Sequence, residues 1–221
     1  MIPEDVRETT VAIDHGGARL HGTLAIPAEA QGLVLFAHGS GSSRLSPRNV
    51  AVARGLQRAR LGTLLFDLLT ESEDRFYENR FDIALLAERM LGAAEWARSD
   101  PSSASLPAGF FGASTGAAAA LRAAAELGEE VFAVVSRGGR PDLTGPAIRD
   151  VLSPTLLIVG GLDTEVLELN REAYDQLRCE KELAVVPGAT HLFEEPGTLE
   201  EVTRLAREWF LRPLRSRRPS S

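Results

Sequence analysis

Gly109-Phe110-Phe111-Gly112-Ala113-Ser114-Thr115-Gly116-Ala117-Ala118 changes character in its middle. Residues 108–111 are a short apolar run that reads as a buried strand. Residues 114–127 are an alanine-rich helix closed by Gly128. The junction is G-x-S-x-G in a strand–turn–helix setting. A serine on so sharp a turn is strained, and residues two places to either side must be small for strand and helix to approach. The turn lifts the Ser114 hydroxyl clear of the sheet and aims the Thr115 N–H at the same space. The plain alternative is a tight turn with Ser114 as an ordinary helix cap.

The same alternation extends in both directions. Upstream, residues 9–14 and 19–27 alternate polar and apolar across His15-Gly16-Gly17, which predicts a hairpin. Strands follow at 33–37 and 63–66, with helices from Ser46-Pro47 to about Arg60 and over 81–96. Downstream, strands are expected at 131–135, 155–159 and 183–186, and helices at 166–177 and 199–211. Thr198 with Glu201 marks the last helix as a capping box. A hairpin followed by strand–helix units gives an α/β three-layer α/β/α sandwich with a mostly parallel sheet. We read residues 1–211 as one domain and 212–221, which end in RSRRPSS, as a basic frayed tail.

Ligands of such sheets sit beyond the carboxyl ends of the strands. After residue 37 comes His38-Gly39-Ser40-Gly41-Ser42-Ser43, a bend whose Ser40 N–H is the expected second donor beside Thr115 for an oxyanion. After residue 159 comes Gly160-Gly161-Leu162-Asp163, and after 186 comes Pro187-Gly188-Ala189-Thr190-His191. Ser114, Asp163 and His191 thus follow three parallel strands, in an order suited to nucleophile, acid and base. Glu165 and Asp142 compete as the acid. Asp163 is preferred because its loop is shorter and Gly160-Gly161 permits a sharp exit. A rival reading is a noncatalytic or dinucleotide-binding protein using the Gly39-x-Gly41 loop, with Asp67 as the ribose acid. Against it, the third glycine position holds Arg44.

Composition removes other classes. The 221 residues carry a formal charge of −7, against a general nucleic-acid surface. Lys181 is the only lysine and lies in Cys-Glu-Lys-Glu, so no Walker-type phosphate loop exists. The one cysteine, Cys179, excludes a disulfide framework and a cysteine-based zinc site. No apolar run approaches a membrane span, and MIPEDVRETT lacks the order of a signal peptide, so a cytoplasmic protein is expected.

GASTG, HGSGSS, GGLD and ATH resemble the nucleophile elbow, oxyanion loop, acid turn and histidine loop of the α/β-hydrolase superfamily, and the compact architecture is similar to its dienelactone-hydrolase-like group. The resemblance spans essentially the whole chain. It implies the eight-stranded sheet of that fold and hydrolysis of a small ester, lactone or related acyl bond by Ser114, Asp163 and His191, with no metal or organic cofactor. It departs at one point: true dienelactone hydrolases carry cysteine at the elbow. Members commonly insert a cap before the acid strand, but residues 136–154 hold at most one short helix, so no cap domain is expected. The site should be open, with short acyl groups favoured. Arg137 begins that segment and is a candidate for binding a substrate carboxylate, with a structural pair to Asp142 as the alternative. Glu71, Glu73 and Asp74 read as a solvated loop.

Overall fold

A computed structural model of the chain describes residues 5–216. Val6–His15 (β1) and Ala18–Pro27 (β2) pair antiparallel from Val6 opposite Pro27 to His15 opposite Ala18. Gly16 and Gly17 turn the hairpin at φ 57° and 78°, values that a residue with a Cβ adopts only under strain. The chain then alternates through Leu33–Ala37 (β3), Pro47–Gln57 (α1), Gly62–Phe66 (β4), Ile83–Ser99 (α2), Ala108–Ala113 (β5) and Thr115–Leu127 (α3). Val131–Arg137 (β6), Thr155–Gly160 (β7), Thr164–Gln176 (α4), Lys181–Val186 (β8) and Thr198–Ser216 (α5) complete it.

The strands form one eight-stranded sheet in the order β1-β2-β4-β3-β5-β6-β7-β8. β2 meets β4 antiparallel, and every pairing from β4 to β8 is parallel. One face packs on α2 and α3 through Leu35, Phe110, Val134 and Leu157. The other packs on α1 and α5 through Phe36, Phe111, Val135 and Phe210. Phe36 and Phe111 sit side by side with ring centroids 4.8 Å apart. Ala117 to Ala120 and Ala123-Ala124 are fully buried, because α3 lies tight on the centre of the sheet, where only small side chains fit. Between β6 and β7 there is only a 3-10 segment, Pro141–Asp150, kinked at Gly145, and no cap.

Four expectations change. α1 stops at Gln57 because the Leu61 N–H returns to Leu56 O and Arg60 turns at φ 61° to bring Gly62 onto Gly32. No capping box starts α5: the Thr198 hydroxyl donates to Glu195 O at 2.7 Å, and Glu201 is held by Arg204. Residues 212–216 belong to α5 rather than to a frayed tail. Arg212 pairs with Glu180 at 2.6 Å and covers the Trp209 ring, and Leu214 is buried. Residues 217–221 lie outside the described residues. The stretch after β4 is solvent-exposed, as expected, but folded rather than a loop: Glu73–Arg75 and Tyr77–Phe81 are 3-10 turns tied by ion pairs from Glu73 to buried Arg89 and from Asp74 to Arg80.

Candidate active site

Ser114 leaves β5 at φ 52°, ψ −124°, a conformation that costs roughly 1–3 kcal/mol for a residue with a side chain. The neighbouring backbone holds it there. Ser114 N donates to Arg137 O at 3.3 Å, and Ser114 O accepts from Arg140 N and Ala117 N, each at 3.1 Å. A Cβ on Gly112 would overlap Ala117, and one on Gly116 would overlap the carbonyls of Ala37 and His38. Both glycines of the motif are therefore steric requirements. Ser114 precedes α3 but caps no helical N–H, so its hydroxyl is uncommitted to the helix.

Asp163 and His191 meet. Nδ1 of His191 lies 2.6 Å from Oδ2 of Asp163, whose side chain is mostly buried. Their loops are laced together: Gly161 N donates to Val186 O, Leu162 N to Ala189 O and Asp163 N to Gly160 O, at 2.8–3.0 Å. Gly160 passes so close to Ala189 that a Cβ there would overlap its carbonyl. The other side of the histidine loop is held by Glu195, which accepts from the Thr190 hydroxyl at 2.6 Å and from its amide at 3.1 Å. That hydroxyl bond, with help from the amides, draws the Glu195 carboxyl below its usual range. Glu195 carried no spacing signal in the sequence.

The competing acids are accounted for differently. Asp142 is clamped by Arg140 through two bonds of 2.9 and 2.8 Å, so it is not the partner of Arg137. Glu165 lies in the first turn of α4. Among the described residues, no hydrogen bond joins Ser114 Oγ to His191. The imidazole Cε1 lies over Gly138, 3.6 Å from where a Cβ would stand, beside the Arg137–Arg140 segment that holds the elbow. Hydrogen bonds of this kind are commonly long in ligand-free sites and tighten around substrate.

The loop after β3 is pinned by the segment that follows β4. The buried His38 ring accepts the Leu68 N–H at Nε2 and faces Gly39 O with Nδ1, both at 3.0 Å. Burial lowers its pKa, only partly offset by Gly39, Asp67 and Asp74. The ring is therefore neutral and carries its proton on Nδ1. Asp67 accepts from Arg44 N at 2.8 Å and pairs with the Arg44 guanidinium, so this carboxylate is occupied in bracing the loop. Gly39 lies against Ser114: a Cβ there would stand 3.0 Å from that of the serine. Ser40 N is not free, since it donates to Thr115 Oγ1 at 2.9 Å.

Arg137 is buried on the α1 side of the sheet. It reaches Asn49 Oδ1 only at 3.4 Å and lies 5.9 Å over the Phe193 ring, leaving Nε and Nη1 without partners. Burial, then the nearby Arg48 charge, pulls its pKa down to about 10. Cys179 sits at the opposite edge of the sheet, its Sγ 3.7 Å from the Thr155 hydroxyl, and burial raises its pKa. It is remote from the elbow.

No family model matches the chain. A crystal structure of a dienelactone hydrolase from Anabaena variabilis is 53% identical, with a TM-score of 0.91, over 94% of this chain and 98% of that one. This chain belongs to the α/β-hydrolase superfamily, in its dienelactone-hydrolase-like group. The α/β-hydrolase sheet also superposes on Est1E from Butyrivibrio proteoclasticus, with a TM-score of 0.80 at 17% identity over 93% of this chain and 99% of that one, a likeness of fold alone. Two curated Mycobacterium tuberculosis proteins, each described as a "putative phosphoribosyl transferase", are 55% identical over 206 residues, 93% of this chain. The chain spans about half the length (46%) of these relatives. Among the described residues of this α/β-hydrolase, no helix is long and apolar enough to cross a membrane, and no group of three or more His, Cys, Asp or Glu could hold a metal ion.

Proposed function

We propose that the chain is a serine hydrolase that cleaves a small ester or lactone through a covalent acyl-enzyme on Ser114. The observation that carries this reading is the Asp163–His191 bond of 2.6 Å, on loops that end at the same sheet edge as the strained Ser114 turn. Asp163 holds the proton of His191 on Nδ1, which leaves Nε2 as the base. As Nε2 takes the Ser114 proton, Oγ attacks the acyl carbon and the carbonyl electrons move to oxygen. The Thr115 N–H and the loop that carries Ser40 flank the position where that oxyanion develops. Collapse expels the alkoxide, which takes the proton back from the imidazolium. Water then repeats the sequence on the acyl-enzyme, with His191 again as base.

A cytoplasmic location and the absence of a metal or organic cofactor belong to the same reading. So does Arg137 as a group that selects substrates bearing a carboxylate. The name of the mycobacterial relatives favours a second reading, phosphoribosyl transfer. The chain's family and the Asp163–His191 pair support the hydrolase reading for the 206 residues matched. Fluorophosphonate labelling separates the two. The hydrolase reading expects one adduct, on Ser114, lost in Ser114→Ala together with turnover of p-nitrophenyl acetate. Transfer from a phosphoribosyl diphosphate donor with an unlabelled Ser114 would instead establish the second.

A further inference from the structure

We propose that the hydroxyl of Thr115, rather than the N–H of Ser40, gives the oxyanion its second hydrogen bond; this rests on the reading of Ser114 as the nucleophile. Thr115 Oγ1 already accepts the Ser40 N–H at 2.9 Å, so that amide is turned toward the threonine and not into open space. A hydroxyl both accepts and donates. Having accepted from Ser40, Oγ1 keeps one proton to place, and among the described residues no acceptor receives it. Thr115 is only 3% exposed. A buried O–H with no acceptor is costly, and such groups in native proteins call for an explanation.

The position supplies one. Thr115, Gly39, Ser40 and Gly41 line one small pocket together with Leu68 and Leu69. Gly39 brings that pocket against Ser114, whose Cβ would be 3.0 Å from a Cβ added there. A carbonyl bound to Ser114 thus finds an O–H in need of an acceptor. The bond from Ser40 polarises that O–H, and polarised chains of hydrogen bonds donate more strongly. Charge develops on the substrate oxygen only as Oγ attacks, so this bond strengthens in the transition state and not in the ground state. No proton is transferred. Ser40 acts through Thr115 and is a positioning residue.

The test uses Thr115→Val, which keeps the shape and removes the hydroxyl, and Thr115→Ser, which keeps the hydroxyl. The valine variant should lose about 100-fold in kcat on p-nitrophenyl acetate, the low end for one oxyanion donor, with KM within about twofold. Its affinity for phenylboronic acid, which forms a tetrahedral adduct on the serine, should fall by a similar factor. Thr115→Ser should stay within about fivefold of wild type by both measures. A valine variant as fast as wild type or faster would overturn the proposal, because the hydroxyl would then be a plug that Ser40 must shed. Equal losses in valine and serine variants would overturn it too, since shape and not the hydroxyl would matter. Thr115→Ala scored in the same way replaces the valine if that variant does not fold. These outcomes count only where wild-type Ser114 takes the fluorophosphonate label; an unlabelled wild type defeats the hydrolase reading itself.

Discussion

The two edges of the sheet treat space and polar groups in opposite ways. The amino edge holds an open cavity of about 620 Å³, lined by Ala94, Leu106, Pro107, Leu127, Val131 and Leu214. Its charged members, Arg98 and Glu130, pair with each other. Nearby, Lys181 donates to the carbonyls of Tyr174 and Leu177. The carboxyl edge has a much smaller pocket, lined by Gly39, Ser40, Leu68 and Thr115, yet it carries Ser114 at φ 52°, a guanidinium with unpartnered donors, and the Asp163–His191 pair. Exposed apolar side chains also follow its strands: Leu45, Phe76, Tyr77, Phe81, Leu162 and Leu192. Under the proposed function, volume does not mark the chemistry; held strain and positioned polar groups do.

The contrast is broken most directly at Ser114. Ser114→Ala should remove ester hydrolysis down to the residual rate of binding and oxyanion contacts, on the order of 10³–10⁴ over water. Ala104→Leu, which intrudes on the amino-edge cavity, should leave kcat/KM within about twofold of wild type. If the cavity variant is the crippled one, the reacting groups are at the wrong edge. Within the carboxyl edge, Asp163→Asn should lower kcat by about 10⁴, because the histidine then takes the wrong tautomer. Asp142→Asn should cost less than about fivefold, since that carboxylate is committed to Arg140. Steady-state rates of the two variants rank the acids directly.

Features whose cause is local in the chain were readable from it. The elbow could be read because Gly112 and Gly116 flank Ser114, and the structure shows steric reasons for both. That Asp163 and His191 meet could be read because short loops leave little choice of where a residue lands after a parallel strand. What escaped depends on which of several possible partners a side chain takes, whether near or distant in sequence. Glu73 finds Arg89 sixteen positions away and Asp74 finds Arg80, and together these order a segment that looks like a solvated acidic run. The Ser40–Thr115 bond spans 75 positions. Neither Thr198 nor Arg137 has the partner that spacing suggested, because Glu195 O and Arg140 offer closer geometry.

Backbone packing gives the next test. Gly116→Ala forces a Cβ into the carbonyls of Ala37 and His38 and should cost roughly 3 kcal/mol or prevent folding. Gly17→Ala in the hairpin meets nothing within 4 Å, and its cost of roughly 1 kcal/mol comes from φ alone. Chemical denaturation of both variants measures the difference. Equal losses would mean that the elbow has slack.

A smaller effect separates buried His38 from partly exposed Glu73 by pH. The folded pKa of His38 lies below its ordinary 6.5, so between those values the unfolded chain binds a proton that the native ring refuses. Stability should therefore fall as pH drops below about 6.5. Burial pushes the Glu73 carboxyl up, but the Thr70 amide, Arg89 and the Thr70 hydroxyl outweigh it and hold the pKa below 4.5. Its contribution is lost only as pH falls beneath that value. Thermal midpoints of His38→Gln should start lower at pH 8 and decline less between pH 6.5 and 5 than those of wild type. An unchanged slope would place the acid loss elsewhere.

The smallest effect concerns what the open edge selects. Each methylene buried in a tunnel contributes about 0.8 kcal/mol, about fourfold in kcat/KM. The segment from Pro141 to Asp150 roofs nothing, so activity on p-nitrophenyl esters should be flat or falling beyond about four acyl carbons. The 3-10 turns with exposed Phe76, Tyr77 and Phe81 could supply a wall on this edge. Activity rising through decanoate would assign them that role. Arg137 adds a charge criterion. Its Nε and Nη1 lack partners and Arg48 stands nearby, so an added carboxylate would relieve two unfavourable terms at once. An ester bearing a free carboxylate should be preferred a fewfold over its neutral analogue, and Arg137→Ala should erase that preference while the neutral ester keeps its KM. A preference that survives the substitution leaves Arg137 as a prop beneath Phe193 and the histidine loop. In that event Arg137→Ala should lower kcat for both esters alike, because a loosened Phe193 lets His191 drift from Ser114.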